Sequence, residues 1–209
     1  MVLKGLAAGA VFLIVGNLVI LGASLWARET SPTVSPSELQ GIDNLRAVDA
    51  EVWRGAAPTS DGYRNLAKAG VATVVDLRAE EGLDADFELV RELGMNLVHI
   101  PIRDGQAPST EEVAAFLDAT RGAGGGKVFI HCGAGVGRTG AMVGAYQIAS
   151  GETRPTGALR QNLAVGPPSL EQMAFVAGLD AGRVEKPGPV LTAVSRVLDA
   201  PRRIWSRVS

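Results

Sequence analysis

A cysteine and an arginine six positions apart are the residues of this chain whose types and spacing could do chemistry. The segment VFIHCGAGVGRTG, Val128 to Gly140, carries them as Cys132 and Arg138. A thiolate is a strong nucleophile, and a guanidinium binds two oxygens of a phosphate at once. The pair therefore predicts covalent chemistry on an anionic group.

The residues around this pair predict a strand, a loop and a helix in succession. Lys127 to His131 is an apolar, partly β-branched run between glycine-rich segments, which indicates a short buried strand. Arg138 to Ser150 has small and apolar residues at helical spacing and no proline, so we expect a helix there. The loop Cys132–Gly137 then lies at a helix N-terminus, where free amide groups and the helix dipole favour a bound anion.

The composition of this loop strengthens the expectation of a phosphate site. Its glycines would let the chain adopt backbone angles that turn successive amides inward. The predicted phosphate-binding residues are Gly133, Ala134, Gly135, Val136, Gly137 and Arg138. Amides, dipole and guanidinium all favour thiolate, so we expect the pKa of Cys132 to lie well below the usual value of about 8.5.

The pattern His131-Cys132-x5-Arg138-Thr139 resembles the signature of the cysteine-dependent protein tyrosine phosphatases. The short surrounding domain resembles the dual-specificity branch of that superfamily. The resemblance implies an α/β fold with a central, mostly parallel sheet of about four to five strands flanked by helices. The alternative for Cys132 is a small buried hydrophobic residue that follows a strand.

The same resemblance implies roles for individual residues. Cys132 attacks phosphorus, and Arg138 binds the phosphate. The Thr139 hydroxyl hydrogen-bonds the departing sulfur, and His131 is a neutral support for the cysteine and its loop. Neither a metal nor any other cofactor is implied.

A proton donor for the leaving oxygen is expected on the segment RDGQAPST, which follows a predicted strand. Asp104 is the candidate, because dual-specificity phosphatases carry an aspartate on a loop of this kind. Ser109 and Glu112 form a capping box that starts the next helix. The alternative for Asp104 is an ordinary turn residue, and Asp84 and Asp86 are rival acids at a predicted helix start.

The composition bounds the class of protein. The chain has 209 residues and a net charge of −2, which suits one domain with extensions and gives no reason to expect nucleic acid as a partner. It contains one cysteine. An internal disulfide, a zinc cluster built on several cysteines and a Cys-x-x-Cys redox pair are therefore excluded.

The N-terminal segment predicts a membrane-spanning helix. Gly5 to Ala27 is 23 residues without a charge, enough for a hydrocarbon core that needs about 20. We assign residues 1–28 to a membrane anchor, with a cleavable signal peptide as the alternative. Lys4 on one flank and Arg28 with Glu29 on the other favour a cytoplasmic N-terminus and an outward catalytic domain. Residues 29–41, rich in Ser, Thr and Pro, are predicted to be a linker.

The catalytic domain is predicted to span residues 42–180. Strands are expected at Leu45–Trp53, Val71–Leu77 and Met95–Ile102, and helices near Thr59–Ala69, Phe87–Leu93, Ser109–Arg121, Arg154–Leu163 and Ser169–Leu179. Arg54 is either a solvated or ion-paired loop residue or a residue near the site. Asp76 and Arg78 are expected to form a structural ion pair.

Residues 181–209 are predicted to form a basic tail with an apolar side. This tail is expected either on an anionic membrane surface or packed on its own domain. Pro201 is expected to interrupt any helix there.

Together these patterns predict a membrane-anchored phosphomonoesterase that acts through a cysteinyl-phosphate. Its expected partners are phosphotyrosine, phosphoserine or phosphothreonine proteins, or a small phosphomonoester. The loop lacks the lysines common in phosphatases of inositol polyphosphates, so lipid or inositol phosphates are the alternative substrates. A rhodanese-like sulfurtransferase and a non-catalytic phosphate-binding module remain alternatives from other classes.

Overall fold

A five-stranded sheet carries the strand that ends next to Cys132. The structure, a computed structural model, describes the backbone of residues 2–30, 39–179 and 186–205, and the side chains of 9–30, 39–179 and 186–200. The strands are β1 (Arg46–Ala47), β2 (Val52–Gly55), β3 (Val71–Arg78), β4 (Asn96–Ile102) and β5 (Lys127–His131). Their order is β1-β2-β5-β3-β4, parallel throughout except for β1. The predicted α/β class with a mostly parallel sheet is confirmed.

Helices cover both faces of the sheet. They are α1 (Val2–Thr30), α2 (Ser60–Lys68), α3 (Asp84–Glu92), α4 (Thr110–Arg121), α5 (Gly137–Ala149), α6 (Pro155–Val165), α7 (Leu170–Gly178) and α8 (Pro189–Trp205). One core, with Phe116, Met142 and Phe175, lies under α4, α5 and α7. The other, with Tyr63 and Val90, lies under α2 and α3. Because β5 is central and buried on both faces, its carboxyl end is held firmly.

Most predicted elements appear within two or three residues of their expected bounds, and β5 has the predicted bounds. Ser109 and Glu112 form the predicted capping box at the start of α4. The expected strand Leu45–Trp53 is wrong, because the chain makes an antiparallel hairpin of β1 and β2 instead. The Asp49 carboxylate accepts hydrogen bonds from the amides of Glu51 and Val52, which turns the chain between the two strands.

The helix α1 packs one face on the folded domain and exposes the other. Ser24 Oγ donates to Leu163 O at 2.7 Å, and Asn17 Nδ2 donates to Leu198 O at 3.3 Å, on α6 and α8 respectively. The opposite face exposes nine large apolar side chains: Val11, Phe12, Ile14, Val15, Leu18, Val19, Leu21, Leu25 and Trp26. Within the described residues one helical segment, Gly9–Thr30, is long and apolar enough to cross a membrane.

The segments at the two ends of the predicted domain are only partly described. Of the predicted linker, Glu29 and Thr30 continue α1, and residues 31–38 lie outside the described residues. The tail forms α8, which buries Leu198 and continues through Pro201, so the expected interruption at that proline is wrong. One proline removes a single hydrogen bond, which a helix of 17 residues tolerates. Residues 180–185 and 206–209 lie outside the described part.

Candidate active site

Donors from other segments hold the loop after β5 by hydrogen bonds to its backbone carbonyl oxygens. Ala57 N donates to Gly133 O at 2.9 Å, Asn44 Nδ2 to Ala134 O at 3.0 Å, and Arg54 Nη2 to Gly135 O at 2.7 Å and Val136 O at 3.3 Å. In a trans peptide the N–H points opposite to the C=O. The four amides that follow these carbonyls therefore face the concave side of the loop, as an anion site requires.

The three loop glycines are needed for different reasons. Gly135 has a φ of +70°, and a Cβ there would lie 2.3 Å from the Gly55 carbonyl. Gly137 has no such angle, but a Cβ would lie 2.2 Å from Gln172 Oε1. Gly133 shows neither constraint. The expectation that all three supply special backbone angles is therefore wrong, and it holds for Gly135 alone.

Cys132 lies at the base of the loop. It is 3% exposed and borders the apolar core that includes Ile130 and Met142. A negative charge on Cys132 would raise the pKa of Arg54 and of Arg138, so both guanidinium groups lie within electrostatic range of this side chain. The predicted nucleophile and its predicted cation are thus brought together.

Arg138 is fixed at one end of its guanidinium. Nη1 donates to Glu80 Oε2 at 2.9 Å and to Ile102 O at 3.0 Å, and Nη2 lies 3.6 Å from Asp104 Oδ1. Burial alone would lower the pKa of Arg138, but Glu80, Cys132 and Asp104 outweigh it and raise the pKa above its ordinary value. Nε is buried and has no hydrogen-bond partner among the described residues. One edge of the guanidinium is therefore available to an incoming anion.

Asp104 lies over the site on the segment between β4 and α4. Its side chain is 61% exposed and faces Arg138. The start of α7 anchors this segment: Ser169 Oγ donates to Gly105 O at 2.7 Å, and Gln172 Nε2 donates to Gln106 O at 3.1 Å. The structure therefore brings Asp104 to the same place as Cys132 and Arg138, with a mostly solvated carboxyl group.

Thr139 is buried beside the loop, in the first turn of α5. Its Oγ1 has no hydrogen-bond partner among the described residues. The hydrogen bond expected from Thr139 to the departing sulfur during the reaction stays a prediction. The hydroxyl remains an unused donor next to the loop.

His131 is fully buried behind the cysteine. Burial lowers its pKa to about 4, so the imidazole is neutral at pH 7. Nδ1 lies 3.3 Å from Cys132 O, and Nε2 lies 3.4 Å from Tyr63 Oη. Because a carbonyl only accepts, Nδ1 carries the proton and Nε2 accepts from Tyr63. This arrangement holds the peptide group that follows Cys132.

The carboxylates of Asp76 and of the rival acid Asp86 have the same structural partner. Asp76 Oδ2 accepts from Arg78 Nη2 at 2.7 Å, as expected for a structural ion pair, and Asp86 Oδ2 accepts from the same guanidinium at 2.8 Å. Burial would raise the pKa of Asp76, but hydrogen bonds from Arg78 outweigh it and lower the pKa. Asp84 lies in the first turn of α3.

Two supporting residues were open or missed at the level of sequence. Arg54, left open above, is buried and holds the loop carbonyls from behind. Burial lowers its pKa to about 10. Glu80, to which the sequence reading gave no role, fixes Arg138. Its position two residues after β3, beside the carboxyl end of β5, was the signal that could have found it.

The family follows from a match over this same region. Residues 32–178 match the family described as a DSP-PTPase phosphatase fused to NAD+ kinase. The chain belongs to this phosphatase family. The cysteine-dependent phosphatase superfamily expected from the signature is thereby confirmed.

Relatives identified by sequence cover parts of the chain. It is 31% identical over 121 residues to NAD kinase 2 of Arabidopsis thaliana, covering 56% of this chain and 12% of that protein. It is 33% identical over 98 residues to a putative tyrosine phosphatase, 067L, of Invertebrate iridescent virus 3, covering 44% of this chain and 40% of that protein. The chain thus spans a small part of the NAD kinase and less than half of the viral protein.

Solved structures show the same fold at low identity. The PP-IP phosphatase SIW14 from S. cerevisiae matches with a TM-score of 0.59 and 16% identity, covering 71% of this chain and 89% of that one. TpbA from P. aeruginosa, in complex with pTyr, matches with a TM-score of 0.54 and 21% identity, covering 69% and 93%. PTPMT1 in complex with PI(5)P matches with a TM-score of 0.56 and 22% identity, covering 65% and 93%.

Proposed function

We propose that this chain hydrolyses phosphomonoesters through a cysteinyl-phosphate intermediate. One observation carries the proposal: Arg138, six residues after Cys132, is fixed by Glu80 and Ile102 O, and its Nε has no described hydrogen-bond partner. A guanidinium held in this way binds phosphate oxygens without further ordering. The inward amides of the loop add donors where negative charge builds up in the transition state.

In the first step the Cys132 thiolate attacks phosphorus in line with the ester oxygen. The S–P bond forms and the P–O bond breaks, with its electron pair passing to the leaving oxygen. Asp104 gives that oxygen a proton, since its carboxyl group lies over the loop beside Arg138. Arg138 holds two equatorial oxygens throughout.

In the second step a water molecule attacks the phosphorus of the cysteinyl-phosphate. Asp104, now a carboxylate, takes a proton from this water, and the S–P bond breaks to regenerate thiolate and release phosphate. The Thr139 hydroxyl, buried without a described partner, donates to the leaving sulfur. Neutral His131 keeps the cysteine peptide in place through its contact with Cys132 O.

We propose phosphotyrosine, phosphoserine and phosphothreonine in proteins as the substrates. The loop positions Gly133, Ala134 and Val136 carry no cationic side chain, and Glu80 and Asp104 place two acids at the rim. Acids at the rim repel a substrate that bears several phosphates. The structural neighbour TpbA holding pTyr supports the same class.

Lipid or inositol phosphates are the second candidate. SIW14 is named a PP-IP phosphatase, and the PTPMT1 structure holds PI(5)P. The exposed apolar face of α1 supports contact with a membrane, where a lipid substrate would lie.

We propose that α1 anchors the catalytic domain to a membrane, on the outer side if the flanking charges set the orientation. Flotation of the full chain with vesicles, lost in V15E/V19E, tests the attachment.

The function is tested by assaying the full chain on an aryl phosphate, phosphopeptides, phosphoinositides and thiosulfate without added metal. We expect phosphate release from the aryl phosphate and phosphopeptides, abolished in Cys132→Ser. In Asp104→Asn we expect release to fall by on the order of 10²-fold. Asp118→Asn, an exposed aspartate paired with Arg121, is the matched control and should leave the rate unchanged. Sulfur transfer from thiosulfate, or no turnover of any phosphate ester, would contradict the proposal.

A further inference from the structure

A cavity of about 530 Å³ lies beside Arg54 and includes none of the loop residues 132–138. Side chains from β1, β2, α5 and α6 line it, together with the end of α1. The charged and amide residues that line it are Arg46, Arg54, Gln147, Glu152, Arg160 and Gln161, and Thr30 also lines it. Its volume is in the range of small-molecule sites, roughly 300–1,000 Å³.

The sheet brings two arginines together at this cavity. Arg46 and Arg54 are direct partners in the antiparallel pairing of β1 with β2. Like charges placed opposite each other on neighbouring strands are destabilising. Burial, and then the positive charge of Arg28 on α1, lower the pKa of Arg46. An anion between these side chains would remove the repulsion.

Two further arginines, Arg28 and Arg160, lie near the cavity, and the hydrogen-bond partners shown for them among the described residues are neutral. Arg28 Nη2 donates to Val165 O at 2.8 Å, and Arg160 donates to Thr30 O. The Arg160 guanidinium also lies 5.4 Å from the centroid of the Trp26 ring. Carbonyl groups satisfy N–H donors but leave the net positive charge in place.

The acid on the cavity wall does little to balance this charge. Glu152 is the one acidic residue that lines the cavity within the described part of the chain. Burial, and then repulsion from Asp49, raise its pKa. No described salt bridge joins Glu152 to Arg28, Arg46, Arg54 or Arg160.

Buried donors point to a missing ligand. Arg54 is 4% exposed, and its Nε has no hydrogen-bond partner among the described residues. Arg46 Nε is also buried without a described partner. A buried donor without an acceptor is unfavourable, so two of them on residues that line one cavity indicate a ligand with acceptor oxygens.

We propose that this cavity is a second anion-binding site that takes a phosphate group, separate from the site at Cys132. Arginines bind phosphate oxygens in a two-pronged geometry that a lone lysine does not reproduce. The phosphate belongs either to a free phosphate compound or to a lipid headgroup, because the cavity lies at the end of α1 whose outer face is apolar. The site does not depend on catalysis at Cys132.

Thermal unfolding of the full chain in a neutral detergent, with and without inorganic phosphate, tests the site. Without phosphate, Arg46→Gln should unfold at the same or a higher temperature, since a repulsion is removed. Phosphate should raise the unfolding temperature of the parent and of Arg64→Gln more than that of Arg46→Gln. Arg64 is a matched control because its guanidinium is exposed and paired with Asp61. Equal stabilisation of all three proteins would overturn the proposal, even if Arg46→Gln is less stable throughout.

Trp26 fluorescence provides a second readout local to the cavity. Inorganic phosphate should produce a saturable change that disappears in Trp26→Phe. In Arg46→Gln the half-saturating concentration should rise about tenfold or more, the effect of losing about 1.4 kcal/mol of binding. An unchanged midpoint in Arg46→Gln would overturn the proposal.

The same signal separates the two sources of phosphate. The protein is reconstituted in vesicles of phosphatidylcholine alone or of phosphatidylcholine with phosphatidic acid. If the Trp26 fluorescence change is already complete in vesicles with phosphatidic acid, and free phosphate adds no further change, the site binds a lipid headgroup. A response to free phosphate in both vesicles assigns it to a soluble compound. The absence of a response in every arm would contradict the site altogether.

Discussion

Arg138 and Arg54 are equally buried arginines that contact the same loop, yet their charges are balanced differently. Each is 4% exposed. Arg138 has carboxylates beside it, and its pKa is raised, whereas Arg54 contacts carbonyl oxygens and an amide oxygen, and burial lowers its pKa to about 10. A guanidinium that Glu80 holds at Nη1 keeps its other donors for a phosphate. A guanidinium bonded to backbone carbonyls instead maintains the shape of the loop.

The largest effect is expected from Arg138→Lys. An ammonium keeps the charge but loses the planar pair of donors, so kcat/KM should fall by on the order of 10³-fold. The measurement is steady-state hydrolysis of an aryl phosphate, with Arg64→Lys as the control on an exposed arginine. A loss of kcat/KM of less than tenfold would show that the planar donor pair of Arg138 contributes little to the reaction.

A smaller effect is expected from Arg54→Lys. One ammonium cannot serve the carbonyls of Gly135 and Val136 and the Asn162 side chain together. We expect kcat/KM to fall about tenfold and the free energy of unfolding to fall by about 1–3 kcal/mol as carbonyls lose a donor. The two losses should appear together in denaturant unfolding and kinetics. A kinetic loss as large as that of Arg138→Lys, in a protein of normal stability, would show that Arg54 contacts substrate.

Burial has a different result at His131, which loses its charge where Arg54 keeps it. The pKa of His131 is about 4 in the folded chain and about 6.5 in the unfolded chain. Between these pH values the imidazole is protonated in the unfolded chain and neutral in the folded chain. Stability from this residue is therefore complete above pH 6.5 and declines as pH falls toward 4, by roughly 3 kcal/mol at most. Urea unfolding across this window should show the decline in the parent and in His99→Asn. A decline that persists unchanged in His131→Asn would contradict the assignment.

Local patterns were enough to predict the structure of the segment around Cys132. β5, the loop, α5 and the capping box of α4 depend on neighbours within a few residues, which periodicity and capping rules describe. Asp104, expected on a loop that ends near the phosphate loop, lies 3.6 Å from Arg138, because the strand β4 and the capped helix α4 leave its segment little freedom. The Thr139 hydroxyl has no described partner, and local patterns do not determine its rotamer, because that depends on packing.

The rest depends on contacts between distant segments. Glu80 reaches Arg138 across 58 positions, and Arg54 reaches Gly135 across 81, so no local rule could pair them. The hairpin of β1 and β2 was missed because the Asp49 turn lies inside an otherwise strand-like run. The facing of Arg46 and Arg54, and the cavity beside them, exist only once that hairpin has formed.

The most direct test of the account is to capture the phosphorylated enzyme. The full chain is mixed rapidly with an aryl phosphate of low leaving-group pKa, quenched in acid and digested for mass spectrometry. Asp104→Asn is run beside it, because slow hydrolysis of the intermediate should increase its amount. The account predicts one added phosphate on the peptide that contains Cys132, more in Asp104→Asn and none in Cys132→Ser. Turnover with phosphate on another residue, or with no phosphorylated enzyme in either protein, would contradict it.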